Sequence, residues 1–331
     1  MEYVIDANTH GKTVLEILKK QLGMSHAMIK HLKFLEDGIT LNGSHVTVRR
    51  QVCEGDVLCL AVEDRDDQYK LTPCDLDIKI AYEDDDVVVP DKPSDMPTHQ
   101  SHGHYTDTVA NALAYRYSQK GIPFVFRPVN RLDRNTSGLL LIARNRISAG
   151  YLAEAMREHR IQKQYVAILK GVLPQDSGVI DTYMRRTEQS VIVREVCEEG
   201  QGGDRAITEY SVICRSDTHT LVYAYPKTGR THQLRVHFAS MGCPIEGDDM
   251  YGSESKLIGR HALHSTRVTF PCSKGEGKIT VTSPLPDDMY RLATAVFGER
   301  LEDIDGDIKK YILPQTEEKD DEFKSAHRET V

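Results

Sequence analysis

Several features that define other classes of protein are missing from this sequence of 331 residues. The longest uninterrupted apolar runs, such as residues 139–143, have the length of a strand, whereas a membrane-spanning helix needs roughly 20 apolar residues. The first residues, MEYVID, lack the basic and apolar regions of a signal peptide. We therefore expect a soluble, cytoplasmic protein rather than a membrane or secreted one.

Cysteine and histidine are present, but not in the patterns that hold metals. The seven cysteines are scattered and include no C-x-x-C pair, so neither a zinc site nor a redox pair is indicated. Three histidines occur in THQSHGH at residues 98–104, without a carboxylate or cysteine at a familiar ligand spacing. A Gly-rich phosphate loop is also missing. The sequence therefore predicts no metal site and gives no sign of a bound cofactor.

Charge is unevenly distributed along a chain whose formal net charge is −8. Acids outnumber bases by eleven to three between residues 63 and 91, and by ten to five between residues 302 and 331. Between residues 127 and 170 the balance reverses to nine bases and three acids. A basic stretch within an acidic chain favours a phosphate-bearing partner, because phosphates respond to the local potential. A solvated helix face is the alternative for any single arginine.

Residues 12–62 have the pattern of a small, separate module. The predicted elements are a helix from Thr13 to Leu22, a second helix that has Ser25 as its N-cap and runs to about Leu35, and strands at residues 39–41, 46–48 and 57–60. The pair Asn42–Gly43 between two β-prone runs predicts a hairpin. The second helix carries Lys30 and Lys33 on one face.

This order of helix, helix and small sheet resembles the alpha-L RNA-binding module. The matching segments are Ser25, the helix face Lys30–Lys33, DGITLNG at residues 37–43 and VCEGDVL at residues 52–58. The resemblance implies that Lys30 and Lys33 contact RNA. A small module with a solvated lysine face is the alternative.

The rest of the chain is predicted to form a larger domain at residues 78–298. An acidic, turn-rich linker at residues 63–77 precedes it, and an acidic tail at residues 299–331, which we expect to be partly disordered, follows it. Strands are predicted at residues 139–143, 166–169, 179–180, 208–213, 220–225 and 279–282, with two strands around an acidic turn after residue 78 and a helix at residues 106–117. Many strands and few helices predict an α+β fold with a mixed sheet.

One candidate catalytic group lies in the basic stretch. Asp133 is flanked by Arg131 and Arg134 in a polar loop that leads into the apolar run at residues 139–143. Loops held at the edge of a sheet often carry catalytic groups, and neighbouring arginines favour the ionised carboxylate. An ionised aspartate can act as a nucleophile or a base. Spacing alone leaves a structural ion pair as the alternative.

Three long blocks resemble the motifs of the RluA-type pseudouridine synthases. RLDRNTSGLLLIAR at residues 131–144 is similar to the nucleophile motif, KQYVAILKG at residues 163–171 to the tyrosine motif, and KTGRTHQLRVHFASMGCPIEGDDMYG at residues 227–252 to the third motif. HALHSTRVTF at residues 261–270 and SPLPDDM at residues 283–289 resemble the closing segment. Their number and order make the signal specific. The resemblance implies an α+β catalytic domain with a mixed, largely antiparallel central sheet.

The resemblance also implies roles for individual residues. Asp133 would be the nucleophile, Tyr165 would stack on the base and take part in removing the C5 proton, and Arg235 would keep the catalytic carboxylate ionised. Arg131 would help to fill the space left by the flipped nucleotide. The other candidates for substrate contact are Asn130, Arg230, His232 and Gln233. The family usually has histidine where this chain has Asn130, whose amide can still donate a hydrogen bond near the loop.

The implied activity is the isomerisation of uridine to pseudouridine in RNA, with ribosomal RNA as the leading substrate and transfer RNA as the second. The target base would leave its stack, and no cofactor would be needed because one glycosidic bond is exchanged for another. We expect a monomer. One alternative is a non-catalytic RNA-binding protein with this fold. The other is a glycosidase that uses Asp133 with a second carboxylate from Glu246, Asp248 or Asp249.

Overall fold

The computed structural model describes residues 2–24, 26–35, 37–61, 71–272 and 277–301. The chain divides into two compact units: unit 1 comprises Met1–Lys163 and Arg267–Val281, and unit 2 comprises Gln164–Thr266 and Thr282–Val331. None of the helices in the described ranges is long and apolar enough to cross a bilayer.

Unit 1 contains helices α1 (Val14–Glu16), α2 (His26–Lys33), α3 (Val109–Gln119) and α4 (Arg146–Arg157). Its strands are β1 (Glu2–Val4), β2 (Ile39–Leu41), β3 (Ser44–His45), β4 (Val57–Leu60), β5 (Lys79–Glu83), β6 (Val87–Lys92), β7 (Arg127–Pro128), β8 (Ser137–Leu139) and β9 (Ile142–Ala143). Unit 2 contains β11 (Ser177–Arg186), β12 (Arg194–Cys197), β13 (Asp204–Arg215), β14 (His219–Pro226), α5 (Gln233–Ser240) and α6 (Asp287–Phe297), followed by a 3-10 turn at Gly298–Leu301. Strands β10 (Gln162–Lys170), β15 (Leu263–Pro271) and β16 (Lys278–Thr282) contribute residues to both units.

The N-terminal part of unit 1 is a four-stranded antiparallel sheet in the order β1-β4-β2-β3, accompanied by α1 and α2. Thr13 begins α1 in a capping box with Glu16, and a π-helical stretch at Ile17–Gln21 continues it, so the first predicted helix is confirmed. Ser25, the predicted N-cap of the second helix, lies outside the described residues. The resemblance of this part to the alpha-L module stays a prediction.

The predicted hairpin at Asn42–Gly43 is present, but its second strand is displaced. Both turn residues have positive φ, 52° and 80°, as a two-residue turn of type I′ requires. This turn pairs Leu41 directly with Ser44, so the returning strand is β3. The prediction of a strand at residues 46–48 is therefore wrong, because the short turn starts the pairing two residues earlier. Strand β1, which pairs with β4, was not predicted.

The apolar run at residues 139–143, predicted as one strand, is interrupted. Strand β6 pairs with β8 at one end and with β9 at the other, and residues 140 and 141 belong to neither. Leu140 N donates to the carbonyl of Pro90 at 3.1 Å, but a proline has no N–H to return the bond. The break between β8 and β9 is therefore caused by a residue of the partner strand β6. The pattern of residues 139–143 alone could not reveal it.

Two nearby predictions agree with the structure. The acidic turn between β5 and β6 is confirmed: Asp84 Oδ1 accepts hydrogen bonds of 2.8 Å from the N–H groups of Asp86 and Val87. The predicted helix after the histidine-rich segment is α3, whose N-cap is Thr108. A side-chain cap thus sets the start of α3 slightly later than the apolar spacing indicated.

The linker and tail boundaries stay predictions. Residues 62–70 and 302–331 lie outside the described part of the chain. Just beyond the first of these gaps, Asn111 of α3 donates from Nδ2 to the carbonyl of Thr72 at 2.7 Å. The end of the predicted linker at residues 63–77 is therefore attached to the body of unit 1.

Unit 2 is built on antiparallel strands in the order β12-β11-β13-β14-β10. The predicted strands at residues 166–169, 179–180, 208–213 and 220–225 lie within β10, β11, β13 and β14. Helix α5, which the sequence did not predict, packs on this sheet through Phe238, whose ring meets that of Tyr210 edge-on at a centroid distance of 6.1 Å. The predicted α+β class with a largely antiparallel sheet is confirmed.

Candidate active site

The loop at residues 129–136, which carries the predicted nucleophile Asp133 and which we name the nucleophile loop, connects β7 to β8 in unit 1. Asp133 is half-buried within it, and its carbonyl accepts a hydrogen bond from Thr136 N at 3.1 Å, which closes a tight turn. Arg131 and Arg134 are exposed on either side. The sequence placed Asp133 correctly, in a polar loop that leads into a buried strand.

Two buried side chains fix the backbone of this loop. The hydroxyl of Thr98 donates to the carbonyl of Leu132 at 2.8 Å and accepts from its N–H at 3.3 Å. The ammonium of Lys92, only 1% exposed, donates to the carbonyls of Pro93 and Arg134, each at 2.8 Å. The sequence analysis missed both anchors. A lysine that ends an apolar strand is the one signal the sequence offers for Lys92, and Thr98 has none.

Asn130 takes part in the loop as an acceptor. Its Oδ1 atom accepts a hydrogen bond of 2.7 Å from Leu141 N, which ties the start of the loop to the break between β8 and β9. Its Nδ2 atom is buried and has no hydrogen-bond partner among the described residues. The donor that the sequence analysis foresaw is thus present, while the contact of Asn130 with substrate stays a prediction.

Tyr165 lies in β10, opposite Ala224 of β14. The side chain is only 6% exposed, in a strand whose following residues are also buried. A tyrosine held on a strand is a rigid platform, since it has few rotamers to lose when a base stacks on it. The role that the resemblance implied for Tyr165 stays a prediction.

Arg235 is buried in α5 and bound to a carboxylate of the same unit. Its Nε and Nη2 atoms donate to the two carboxylate oxygens of Asp248 at 2.7 and 2.8 Å. Arg235 is 5% exposed and Asp248 is fully buried. Burial raises the pKa of Asp248, but the bonds from Arg235 outweigh this effect and the net shift is downward. The pair therefore holds the guanidinium in one orientation, with its charge intact.

The other candidates of the third motif surround the start of α5. Gln233 uses its whole amide within unit 2: Oε1 accepts from Thr228 and from Arg230 N, and Nε2 donates to Thr208 and to the carbonyl of Ile207. His232, in the left-handed region with φ of 58°, lies 2.8 Å from the Tyr251 hydroxyl through Nδ1. The exposed Arg230 donates from Nε to the carbonyl of Arg205 at 3.2 Å. A direct contact of Gln233 with substrate would thus have to replace an existing bond.

Two buried histidines of unit 2 have lowered pKa values. His237, on α5, lies 3.1 Å from the hydroxyl of Thr182 and 3.0 Å from that of Thr208, and burial lowers its pKa to about 4. Burial, aided by the charge of Arg235, lowers the pKa of His261 to about 3. Both rings are therefore neutral at physiological pH.

The predicted RNA-binding lysines are far from these side chains in sequence. Lys30 and Lys33 are exposed on α2, and the residues that precede them, Ile29 and Leu32, are buried in the core of the N-terminal part. The helix thus presents both lysines to solvent. Their contact with RNA stays a prediction.

The described residues also bear on two other kinds of site, a metal site and the active site of a glycosidase. Within the described ranges no group of three His, Cys, Asp or Glu side chains is arranged to hold a metal ion. A glycosidase would need a second carboxyl group with a raised pKa as its acid. Asp248 has a lowered pKa and is committed to Arg235, and the buried Glu246 faces His219 at 3.4 Å. Asp248 therefore does not fit the acid of a glycosidase.

Comparisons with known proteins agree with the motifs. The profile of the family described as RNA pseudouridylate synthase matches residues 86–240. An uncharacterised RNA pseudouridine synthase of Bacillus subtilis, YjbO, is 34% identical, covering 82% of this chain and 95% of the relative. Ribosomal large subunit pseudouridine synthase D of Vibrio cholerae is 31% identical, covering 79% of this chain and 84% of the relative. Human RNA Pseudouridylate Synthase Domain Containing 1 has a similar structure, with a TM-score of 0.53 and 27% identity over 64% of this chain and 86% of that one.

The α+β fold and the residues of the three motifs define an RNA-modifying isomerase. The similarity to these relatives extends over most of their length, and the chain belongs to the RNA pseudouridine synthase family. It is therefore an enzyme that acts on RNA, and the resemblance to the RluA-type motifs is confirmed. This membership excludes the alternative of a non-catalytic RNA-binding protein.

Proposed function

We propose that this pseudouridine synthase uses Asp133 as its nucleophile, assisted by Tyr165 and Arg235, and that its substrate is ribosomal RNA. The nucleophile loop is the observation that carries the proposal. It presents a half-buried carboxylate on a turn whose backbone is fixed by Thr98 and Lys92. A preorganised group of this kind reacts without first having to be ordered.

The proposed reaction balances without a cofactor. Asp133 engages the sugar of the flipped-out uridine, by attack at C1′ or by elimination through the 2′ position. The C1′–N1 bond breaks and the uracil rotates. C5 then bonds to C1′ as the Asp133 carboxylate leaves C1′ or, on the elimination route, as the 2′ proton is returned to the sugar. The C5 proton then leaves with the help of Tyr165, and N1 gains a proton. In this proposal Arg235 supplies a positive charge that favours the ionised catalytic carboxylate, as the family resemblance implies, and Arg131 fills the space that the nucleotide left.

Asp133→Asn tests the nucleophile, because the amide has nearly the same shape but cannot attack the sugar. We expect tritium release from RNA labelled at uridine C5 to fall by at least about three orders of magnitude, with RNA affinity within about twofold of wild type. Asp217→Asn, at an exposed aspartate paired with Arg300, is the matched control. Turnover of Asp133→Asn near the wild-type rate would overturn the assignment.

Tyr165→Phe separates stacking from proton removal. The phenyl ring keeps the stacking surface and loses the hydroxyl, so the variant should bind RNA normally and form little product. Normal isomerisation would leave Tyr165 with the role of a stacking platform alone.

The choice of ribosomal RNA rests on relatives such as the ribosomal large subunit pseudouridine synthase D of Vibrio cholerae. Such an enzyme would work in the cytoplasm, and we propose that it does so as a monomer. Chemical mapping of pseudouridines in ribosomal and transfer RNA, from a strain lacking the gene and from its parent, tests the substrate. A modification lost from transfer RNA alone would refute the ribosomal assignment.

We further propose that the N-terminal part adds RNA affinity through α2. Replacing Lys30 and Lys33 together by alanine in the full chain should weaken RNA binding. If both lysines contact phosphates, the slope of log affinity against log salt should become shallower by about 1.5. The matched control replaces Lys19 and Lys20, which are exposed on the preceding helical stretch. Unchanged slopes in the Lys30 and Lys33 variant would mean that α2 does not contact RNA.

A further inference from the structure

The residue after the proposed nucleophile is contacted from two sides by one loop. This segment, residues 93–107, precedes α3, and we name it the histidine loop. Arg134 Nη2 lies 2.6 Å from Asp95 Oδ1, and Arg134 Nη1 lies 3.4 Å from His104 Nε2. On the other edge of the imidazole, His104 Nδ1 lies 2.5 Å from Asp107 Oδ2. The four side chains form a continuous set of contacts that ends at the nucleophile loop.

These contacts assign a role to each nitrogen of the imidazole. A guanidinium has five N–H donors and no acceptor, so its contact with Nε2 of His104 is favourable only if Nε2 accepts. Nδ1 then donates to Asp107. The bond to His104 is also the largest cause of the lowered pKa of Asp107. Donation therefore runs from Arg134 through His104 to Asp107.

The backbone supports this arrangement. Ser101 and His104 exchange two hydrogen bonds, of 3.1 and 2.9 Å, which close a tight turn in the histidine loop. Asp95 has a φ of +63°, in the left-handed region that few residues other than glycine, asparagine and aspartate adopt. Lys92 binds the carbonyl of Arg134. Arg134 is thus restrained at its main chain and its side chain, although that side chain is 50% exposed.

We propose that His104 is a positioning residue for catalysis: its Nε2 atom restrains Arg134 and thereby sets the orientation of the adjacent Asp133. This role depends on that of Asp133 as the nucleophile. Asp107 acts one step further away, by fixing the tautomer of the imidazole. Residues 133 and 134 share a peptide unit, so a change in the backbone at Arg134 reorients the backbone that carries the Asp133 carboxylate. A displacement of about 1 Å at a reacting group can lower turnover by up to about 100-fold.

A role of Arg134 in binding RNA phosphate is the competing explanation, and it has a different kinetic signature. If Arg134 served binding, loss of its contact with His104 would raise the Kd for RNA and change its salt dependence. A positioning role instead lowers the rate of the chemical step and leaves the Kd unchanged.

Two substitutions separate the two edges of the imidazole. His104→Gln can place its amide oxygen where Nε2 accepts from Arg134. His104→Asn can place its amide nitrogen where Nδ1 donates to Asp107, but it is too short to reach Arg134. His102→Asn, at an exposed histidine of the same loop, is the matched control. Single-turnover rates, RNA Kd values and thermal midpoints should be measured for all three, beside Asp133→Asn.

We expect His104→Asn to lower the single-turnover rate by about tenfold or more, and His104→Gln to keep it within about threefold of wild type, with Kd changed less than about twofold in both. A normal rate for His104→Asn, or equal losses in both variants, would overturn the positioning role. A raised Kd with an unchanged rate would assign the cluster to RNA binding instead. Full turnover by Asp133→Asn would refute the nucleophile itself, so the two failures can be told apart.

Discussion

The nucleophile loop of unit 1 and helix α5 of unit 2 hold their arginines by different means. In α5, Arg235 is bound in a bidentate ion pair to the fully buried Asp248. In unit 1, the ion pair of Arg134 with Asp95 joins side chains that are 50% and 73% exposed. Breaking a buried pair leaves an uncompensated charge, whereas an exposed pair contributes little to stability. We infer that unit 2 depends on its ion pair for folding, and that the loop of unit 1 tolerates change with effects mainly on turnover.

The largest effect should come from the buried pair. Asp248→Asn keeps the size of the side chain but removes the charge that faces Arg235, so we expect the free energy of unfolding to fall by about 3–5 kcal/mol. Urea unfolding at neutral pH measures this loss. Asp181→Asn, in the exposed pair with Arg205 of the same unit, should lose less than about 1 kcal/mol. Similar losses in the two variants would remove the distinction between buried and exposed pairs.

Acidification should weaken unit 2 through its buried histidines. Because the pKa of His237 in the folded protein is about 4, below the ordinary value of 6.5, the unfolded chain takes up its proton first. Its contribution is fully present above pH 6.5 and is lost as the pH falls toward 4, by up to about 1.4 kcal/mol per pH unit. Urea unfolding at pH 7 and pH 5.5 measures this slope. His237→Gln should make the slope shallower, and an unchanged slope would contradict a neutral buried ring.

The anchors of the nucleophile loop should affect turnover more than folding. Lys92→Met keeps most of the buried volume but leaves the carbonyls of Pro93 and Arg134 without their donor. The loss of these two hydrogen bonds is offset in part because the variant no longer buries an ammonium group. The free energy of unfolding should therefore change by less than about 2 kcal/mol. The single-turnover rate should fall by about tenfold. A loss of stability as large as that of Asp248→Asn would show that both regions are equally essential to the fold.

The smallest effect should come from the exposed ion pair. Asparagine accepts the left-handed backbone at position 95 as readily as aspartate does, so Asp95→Asn removes only the charge. We expect the free energy of unfolding to change by less than about 1 kcal/mol in urea titrations. A loss above about 2 kcal/mol would mean that this exposed ion pair stabilises the fold as the buried pair of Arg235 and Asp248 does. It would contradict the difference that we infer between the two units.

Local patterns predicted those parts of the fold that local chemistry determines. The hairpin of β5 and β6 follows from an acidic turn whose Asp84 caps its own backbone, and α3 follows from apolar spacing and a Thr cap. The break between β8 and β9 could not be predicted from the run at residues 139–143, because its cause, Pro90, lies in another strand. Helix α5 was missed because polar and apolar residues alternate from Gln233 to Phe238, a pattern typical of a strand, whereas all six residues are buried in the structure.

The same limit applies to the candidate site. The sequence placed Asp133 in its loop and Tyr165 on its strand, because motif and element coincide there. It did not identify Lys92 or Thr98, which act on the loop from 42 and 34 residues away. Nor did it identify Asp248 as the partner of Arg235, since Asp248 belongs to a turn that has no helix or strand pattern of its own. Contacts between segments that lie far apart in the sequence can be identified only from the structure.

The hydroxyl of Thr98 has a consequence for dynamics. It gives Leu132 both of the hydrogen bonds that a neighbouring strand would supply, although Leu132 lies in a loop. The amide proton of Leu132 should therefore exchange with solvent slowly for a loop residue, and only when the nucleophile loop detaches from Thr98. Hydrogen exchange at this single amide, one residue before Asp133, would thus measure how often the nucleophile loop opens while the rest of the protein stays folded.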